Sequence, residues 1–289
     1  MKKTLLIGNG PNRCISDSFS ANVLINKLAD IMNCENIKNV NKSFSFAFES
    51  IISINSDKDA VKNAFDFVVK ELKTLNKTYN DIYTVLQKNL TKIDSIITTN
   101  YDFSIEYSIY NDCKVKTEKI GRNKGFKYSS SNNIDIYHIH GDCNHPKNLC
   151  LGFLGYQKYN KSALSNIKQK LDCYEAGAFE LLKKQLPESL YKILINDVYI
   201  IGLNLNECET LLWNILLIRK ELIRYDVYEK NSISQNRIVL YAFNDDEREI
   251  NNDYYKNLGI EYKNIIINDN NYKEEYIKIL ESIININDD

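Results

Sequence analysis

The sequence predicts an α/β fold, a Rossmann-like and mostly parallel sheet with helices on both faces and with helical insertions. Three observations carry this. Strand-like segments at residues 4–7, 93–98, 197–201, 237–243 and 260–267 are short and mostly apolar, the mark of buried strands. Stretches with helical spacing of apolar residues separate them, the alternation that covers both faces of a parallel sheet. Two of the runs lead straight into glycine and then a helical pattern, the order in which nucleotide-binding folds turn backbone N–H groups toward a phosphate.

Length and composition bound the rest. With 289 residues, 44% apolar and 26% charged, the chain is globular rather than disordered. A single domain over residues 1–289 is expected, with helical insertions at about 34–92 and 156–192. The net charge of −1 gives no field to attract nucleic acid or an anionic membrane, so neither is expected as a partner. Abundant Asn, Ile, Lys and Tyr beside three Pro point to a biased source genome, so the sequons at Asn41, Asn76, Asn89 and Asn160 carry no weight. Seven scattered cysteines, no apolar segment after Met1-Lys2-Lys3 and no apolar run near 18 residues predict a reduced, cytoplasmic protein. Cys143 and Cys150, with His145 between them, invite a metal, but their spacing lacks the second close pair of a structural zinc site. No metal is expected.

The first strand, Thr4–Ile7, runs into Gly8-Asn9-Gly10-Pro11-Asn12-Arg13, and a helical pattern follows from Ser18 to Met32. The third glycine of the dinucleotide fingerprint is missing, and Arg13 stands there instead, able to set a guanidinium against a phosphate or carboxylate. A tight turn explains the two glycines equally well. From Cys34 to Leu90 the apolar spacing is helical, with Phe44, Phe48, Ile51 and Ile52 on one stripe and Val61, Phe65, Val68, Val69 and Leu72 on another. A βαβ unit needs only about thirty residues. The surplus between the first two strands is read as a helical insertion capping the cleft.

The second strand, Ile93–Thr98, delivers Asn100 and Asp102, two residues apart at the carboxyl end where open sheets bind ligands. Both residue types also favour turns, and Asp102 could cap the helix suggested by Phe103 to Tyr110. The next strand-like stretch, Ile134 to Gly141, decides between these readings. Its alternation places His138 and His140 on one face, and a His-Gly at a cleft mouth is a candidate base. A His-x-His pair can also ligate a metal, but no third ligand follows at useful spacing. Beyond it, Gly152 to Tyr156 leads into a helical stretch, Ser162 to Leu186, whose Cys173, Tyr174 and Phe179 are read as core. Asp197–Ile201 is the next buried strand and ends in Gly202-Leu203-Asn204; the helix after it has Glu207 and Glu209 at its start, where the dipole favours them. The last strands are 237–243, followed by Asn244-Asp245-Asp246, and 260–267, and Tyr272 to Ile284 is a terminal amphipathic helix.

In this order, the Gly8-Asn9-Gly10 loop, Thr98-Thr99-Asn100-Tyr101-Asp102, His138-Ile139-His140-Gly141 and Ile200-Ile201-Gly202-Leu203-Asn204 resemble the bacterial sirtuin-like domains that degrade NAD in anti-phage defence, Thoeris-type effectors among them. The resemblance implies NAD+ hydrolysis to nicotinamide and ADP-ribose, with NAD+ as substrate and no other cofactor. It implies catalytic roles for Asn100, beside the nicotinamide ribose and its water, for Asp102, holding that end of NAD, and for His140, the base. It sets Gly8 and Gly10 against the phosphates and Gly202 with Asn204 near the adenosine ribose; Asn9, which with Pro11 replaces the smaller residues usual in that loop, Arg13 and Thr98 are counted with them as binding residues, and His138, which has no assigned role in the family, is taken as support. The chain lacks the two C-x-x-C pairs of the deacylase branch, which turns the expectation away from protein deacylation and from zinc. The first loop and the Ile-His-Gly element also resemble AbiH-type abortive-infection proteins, and a nucleotide-binding regulatory subunit without catalysis is a further alternative. No sensor segment is evident, so a homo-oligomer or a separately encoded activator from a defence operon is expected as partner.

Overall fold

The computed structural model describes residues 2–38, 43–55, 57–76, 78–110, 116–119, 126–129, 134–164, 177–205, 208–243, 252–267 and 271–286. These form an eight-stranded sheet. Its strands are β1 (Lys3–Ile7), β2 (Ser95–Thr98), β3 (Lys116–Lys119), β4 (Phe126–Ser129), β5 (Asp135–His138), β6 (Asp197–Ile201), β7 (Ile238–Phe243) and β8 (Ile260–Ile265). The helices are α1 (Gly10–Arg13), α2 (Ala21–Ile31), α3 (Phe44–Ile54), α4 (Lys58–Thr74), α5 (Thr84–Gln87), α6 (Ser104–Tyr110), α7 (Gly152–Leu164), α8 (Ala178–Gln185), α9 (Glu188–Ile195), α10 (Thr210–Arg224), α11 (Val227–Lys230), α12 (Asn252–Asn257) and α13 (Tyr272–Ile284).

The strand order is β3-β4-β5-β2-β1-β6-β7-β8. From β5 to β8 every pairing is parallel. Numbered among themselves, these six strands run 3-2-1-4-5-6, the doubly wound order, and the direction of winding reverses between β1 and β6. Successive side chains on a strand point to opposite faces, so each strand feeds two cores. Leu5, Ile7, Ile96, Ile136, Tyr199 and Ile201 meet α2 to α6 and α13 on one face. Leu6, Ile97, Tyr137, Val198 and Ile200 meet α7 to α12 on the other. Each such side chain contributes about 1.5–3 kcal/mol by leaving water, which is why strands buried on both faces read as unbroken apolar runs.

Three local expectations are corrected. The helix read from Ser18 to Met32 is two pieces, the end of a 3-10 turn at Asp17–Phe19 and then α2, with the four-residue α1 before them. Ser16 accepts the Ser18 N–H and caps the turn, and Ser20 is extended (φ −70°, ψ 130°), which breaks the run. The stretch after Gly152 is already helical, since α7 starts at Gly152 itself, whose φ of +71° turns the chain. The antiparallel hairpin β3–β4 extends the sheet beyond β5 and has no counterpart in the sequence reading. Residues 165–176, with Cys173 and Tyr174, and also Cys113, Glu207 and Asn244-Asp245-Asp246, lie outside the described residues. No helix among the described residues is long and apolar enough to cross a membrane.

Candidate active site

The winding reversal is where the two glycine loops meet. The Gly8 N–H donates to the Ile201 carbonyl and the Gly10 N–H to the Gly202 carbonyl, both at 2.9 Å. A Cβ on Gly10 would stand 2.6 Å from the Gly202 Cα, and one on Gly202 (φ +61°) would stand 2.4 Å from the Pro11 Cδ. Glycine is therefore required by the closeness of two backbones. Two cavities adjoin this junction. The first, about 230 Å³, has an apolar side of Phe19, Leu24, Phe44, Leu72 and Leu75 from the helices between β1 and β2. Its polar side is Asn9, Asn100, Asp102, His140, Tyr156 and Glu209. The second, about 580 Å³, is lined by Gly10, Arg13, Gly202, Asn204, Phe243 and Tyr276 among others.

Asn100 and Asp102 leave β2 as expected and both reach the first cavity. The Asn100 N–H donates to Thr98 Oγ1 at 3.0 Å and its Nδ2 to the Gly8 carbonyl at 3.3 Å. Its Oδ1 is buried and has no partner. A buried amide oxygen without a donor is costly to leave so, and one on a cavity wall is placed to accept from a bound ligand. Asp102 Oδ1 accepts from the N–H of Ser104, the first residue of α6, at 2.9 Å. Asn12 Nδ2 lies 3.2 Å from both Asp102 oxygens. Asn12 Oδ1 in turn accepts from Asn80 Nδ2 at 3.2 Å and the Tyr83 hydroxyl at 3.0 Å. Burial raises the Asp102 pKa above the usual carboxylate value.

The two histidines do not share a face. β5 ends at His138 and His140 falls in the turn after it, so strand alternation no longer holds between them. His138 is wholly buried: Nδ1 donates to the Asn100 carbonyl at 2.8 Å, and Nε2 stands 2.6 Å from Glu106 Oε1. Burial alone would lower its pKa; the Glu106 carboxylate, the nearby Asp142 charge and the Asn100 carbonyl outweigh this and raise it to about 9. His138 is therefore an imidazolium that holds the Asn100 main chain from beneath, and it does not line either cavity.

His140 faces the first cavity. The Tyr101 hydroxyl must donate to the Cys150 carbonyl, 2.9 Å away, because a carbonyl can only accept. Burial raises the pKa of Tyr101 and Tyr156 and keeps both phenols protonated. With its proton committed, Tyr101 accepts from Tyr156 at 3.4 Å, and Tyr156, now committed too, accepts from His140 Nδ1 at 3.2 Å. The chain of single protons fixes the tautomer: Nδ1 carries the hydrogen and Nε2 keeps its lone pair. That nitrogen lies 3.3 Å from Glu209 Oε2, without the alignment of a hydrogen bond. Burial lowers the His140 pKa to about 3 and raises that of Glu209 to about 8.

Of the sequence-derived site residues, Asn9, Asn100, Asp102 and His140 come together in the first cavity, and Gly10, Arg13, Gly202 and Asn204 in the second. Gly8, Thr98 and His138 line neither and act through others: the Gly8 carbonyl takes the Asn100 amide, Thr98 Oγ1 bridges the Ile7 carbonyl and Asn100 N–H, and His138 holds the Asn100 carbonyl. Sequence reading missed Asn12, Glu106, Tyr156 and Glu209. In the sequence Glu209 is a charge at a favourable helix end, and its burial in the fold gives it another character. Among the described residues no group of three or more His, Cys, Asp or Glu could hold a metal ion. A family model described as a SIR2-like domain matches residues 94–263, from just before β2 into β8. No curated protein matches the chain.

Proposed function

The chain belongs to the SIR2-like domain family, whose match covers more than half of it, and on that premise we propose that it cleaves the nicotinamide–ribose bond of NAD+, releasing nicotinamide and ADP-ribose. Family membership is compatible with NAD-related activity in general; the hydrolytic outcome is our reading of the site. The observation that carries it is Asn100 Oδ1, buried and unpartnered, in the same cavity wall as a neutral His140 with an accepting Nε2.

Cleavage passes through an oxocarbenium-like ribose, which demands a held sugar, a positioned water and an acceptor for its proton. Asn100 Oδ1 accepts a hydrogen from the attacking water or a ribose hydroxyl, and His140 Nε2 takes the proton as water adds. Asp102, anchored by Asn12 and Ser104, brings negative charge to the same end. The apolar side from Phe19, Leu24, Leu72 and Leu75 excludes water and suits the nicotinamide ring. The second cavity, with Arg13 and Asn204, takes the adenosine half, and the glycine junction lies against the phosphates. NAD+ enters as substrate, and no other cofactor and no zinc are part of this reading.

We assign the activity to NAD depletion in abortive anti-phage defence, on the resemblance of the motifs, in a cytoplasmic protein. Such an enzyme must stay silent until triggered, so self-assembly or a separately encoded activator switches it on. The test is purified protein with NAD+, alone and with the products of neighbouring genes, followed by chromatography for nicotinamide and ADP-ribose. Wild type releases both and Asn100→Ala does not. Equal turnover by the two proteins would remove Asn100 from the mechanism. Tight NAD+ binding without product under every condition would instead make the protein a nucleotide-binding subunit, and release only with an acylated peptide would make it a deacylase.

A further inference from the structure

Glu209 is a carboxyl group with an unusual position. It stands in the loop between β6 and α10, is only 7% exposed, and reaches the first cavity with Oε2 unpartnered. It is also the carboxyl group across from His140 Nε2, at 3.3 Å. The tyrosine chain has already committed Nδ1 as a donor, so the accepting face of His140 points at this carboxyl group. Two groups that face one another in a buried wall cannot titrate independently.

We propose that Glu209 is the proton partner of His140, that carboxyl and imidazole hold a single proton between them in the resting site, and that the pair, rather than His140 alone, takes the proton from the attacking water. The pairing stands on the geometry; the fate of the proton rests on the NAD-cleaving reading above. The titratable groups facing the pair are Tyr156 from α7, Tyr101 and Asp102 from the segment after β2, and Cys150 from the loop before α7. The phenols are held protonated by burial and do not compete.

With the pair unprotonated, water adds to C1′ of the ribose while the C1′–N bond breaks, and its electron pair stays on the pyridine nitrogen, which becomes neutral. The proton of the water goes to His140 Nε2 and from there to Glu209 Oε2, which ends as the neutral acid. The pair then holds its single resting proton again, and loss of that proton to solvent is what readies it for each turnover. Without Glu209 the imidazole would have to hold the charge in a buried wall that disfavours it, and would be a poor base.

Because the chain has three histidines, the imidazole nitrogens of the full-length protein can be followed one by one by ¹⁵N NMR. In wild type, His140 shows the Nδ1–H tautomer and a transition above the usual carboxylate range, where the pair loses its proton, since burial pushes the Glu209 carboxyl up. In Glu209→Gln the transition is absent, and Glu209→Asp restores it in shifted form. If wild type shows no His140 transition in that range, or if Glu209→Gln keeps it, the proposal is overturned; the wild-type spectrum decides this even where the variant does not fold. In turnover, wild-type kcat rises with pH through the same transition, whereas Glu209→Gln is slower by about 10²-fold and flat. A paired His140 in a protein that never cleaves NAD+ would sink the hydrolase reading and leave the pairing standing. Turnover by Glu209→Gln that keeps the wild-type rate and pH profile would remove Glu209 from the proton path.

Discussion

His138 and His140 stand two residues apart, and their surroundings are opposite. Around His138 every ring nitrogen is engaged, one by the Asn100 carbonyl and one by Glu106, and the group is held charged. Around His140 one nitrogen is committed to a phenol, the other faces a cavity and an unpartnered carboxyl oxygen, and burial holds it neutral. The first region spends both imidazole nitrogens on fixing a backbone, although Glu106 Oε2 stays unpartnered behind them and lines neither cavity; the second has its unpartnered acceptors in a cavity wall, open to a visitor. Unsatisfied buried groups cost stability, and they persist at sites because a ligand completes them.

The contrast can be broken from either side. The largest effect is expected from His140→Ala, which removes the base and lowers NAD+ turnover by about 10²- to 10⁴-fold, with NAD+ binding still measurable by calorimetry. Next comes Glu106→Ala, which strands the His138 charge in the interior. It costs roughly 3–5 kcal/mol in urea denaturation, unless His138 gives up its proton. A pH series sharpens this. The folded His138 pKa, about 9, lies above the unfolded value, so the pair's stabilisation is full below the unfolded pKa and fades as pH rises through 9. The difference in Tm between wild type and Glu106→Gln therefore shrinks between neutral pH and pH 9. The sign is reversed for His140, whose depressed folded pKa makes the fold lose stability as pH falls below the unfolded value. The smallest effect is expected from Tyr101→Phe. It frees Tyr156 to donate either way and lets His140 exchange tautomers, a loss of roughly fivefold in turnover, equivalent to about 1 kcal/mol.

What the sequence made legible follows from what burial on two faces does to composition. β7 is apolar throughout, and β1 and β6 are apolar after a polar start at Lys3-Thr4 and Asp197, because both sides are covered; their ends are legible because glycine or a polar side chain follows at once. The β3–β4 hairpin, with Lys116–Lys119 and Phe126–Ser129, carries no apolar run and left no such mark. The break at Ser20, before α2, is hidden because Phe19 keeps an apolar residue in the capped turn just ahead of the helix. In the site, Asn100, Asp102 and His140 were found by their position at strand ends. Glu106, Asn12 and Glu209 sit in helices or at their starts, where charged and polar residues are ordinary. Their significance comes from which neighbours surround them in space, ninety residues or more away for Asn12 and Asp102. Linear spacing does not record that.

The contact between Gly10 and Gly202 limits how this site can be redesigned. Any side chain at either position meets the backbone of the opposite loop, so one loop cannot be widened or narrowed without moving the other, almost two hundred residues along the chain. The gap between the two cavities thus behaves as a fixed gauge. The adjustable part is the helical wall, where Leu24, Leu72 and Leu75 present side chains that can be shortened or lengthened singly. An attempt to change which base or ring the first cavity accepts belongs on α2, α4 and the turn after α4, and a library spread over the glycine loops would return mostly misfolded protein.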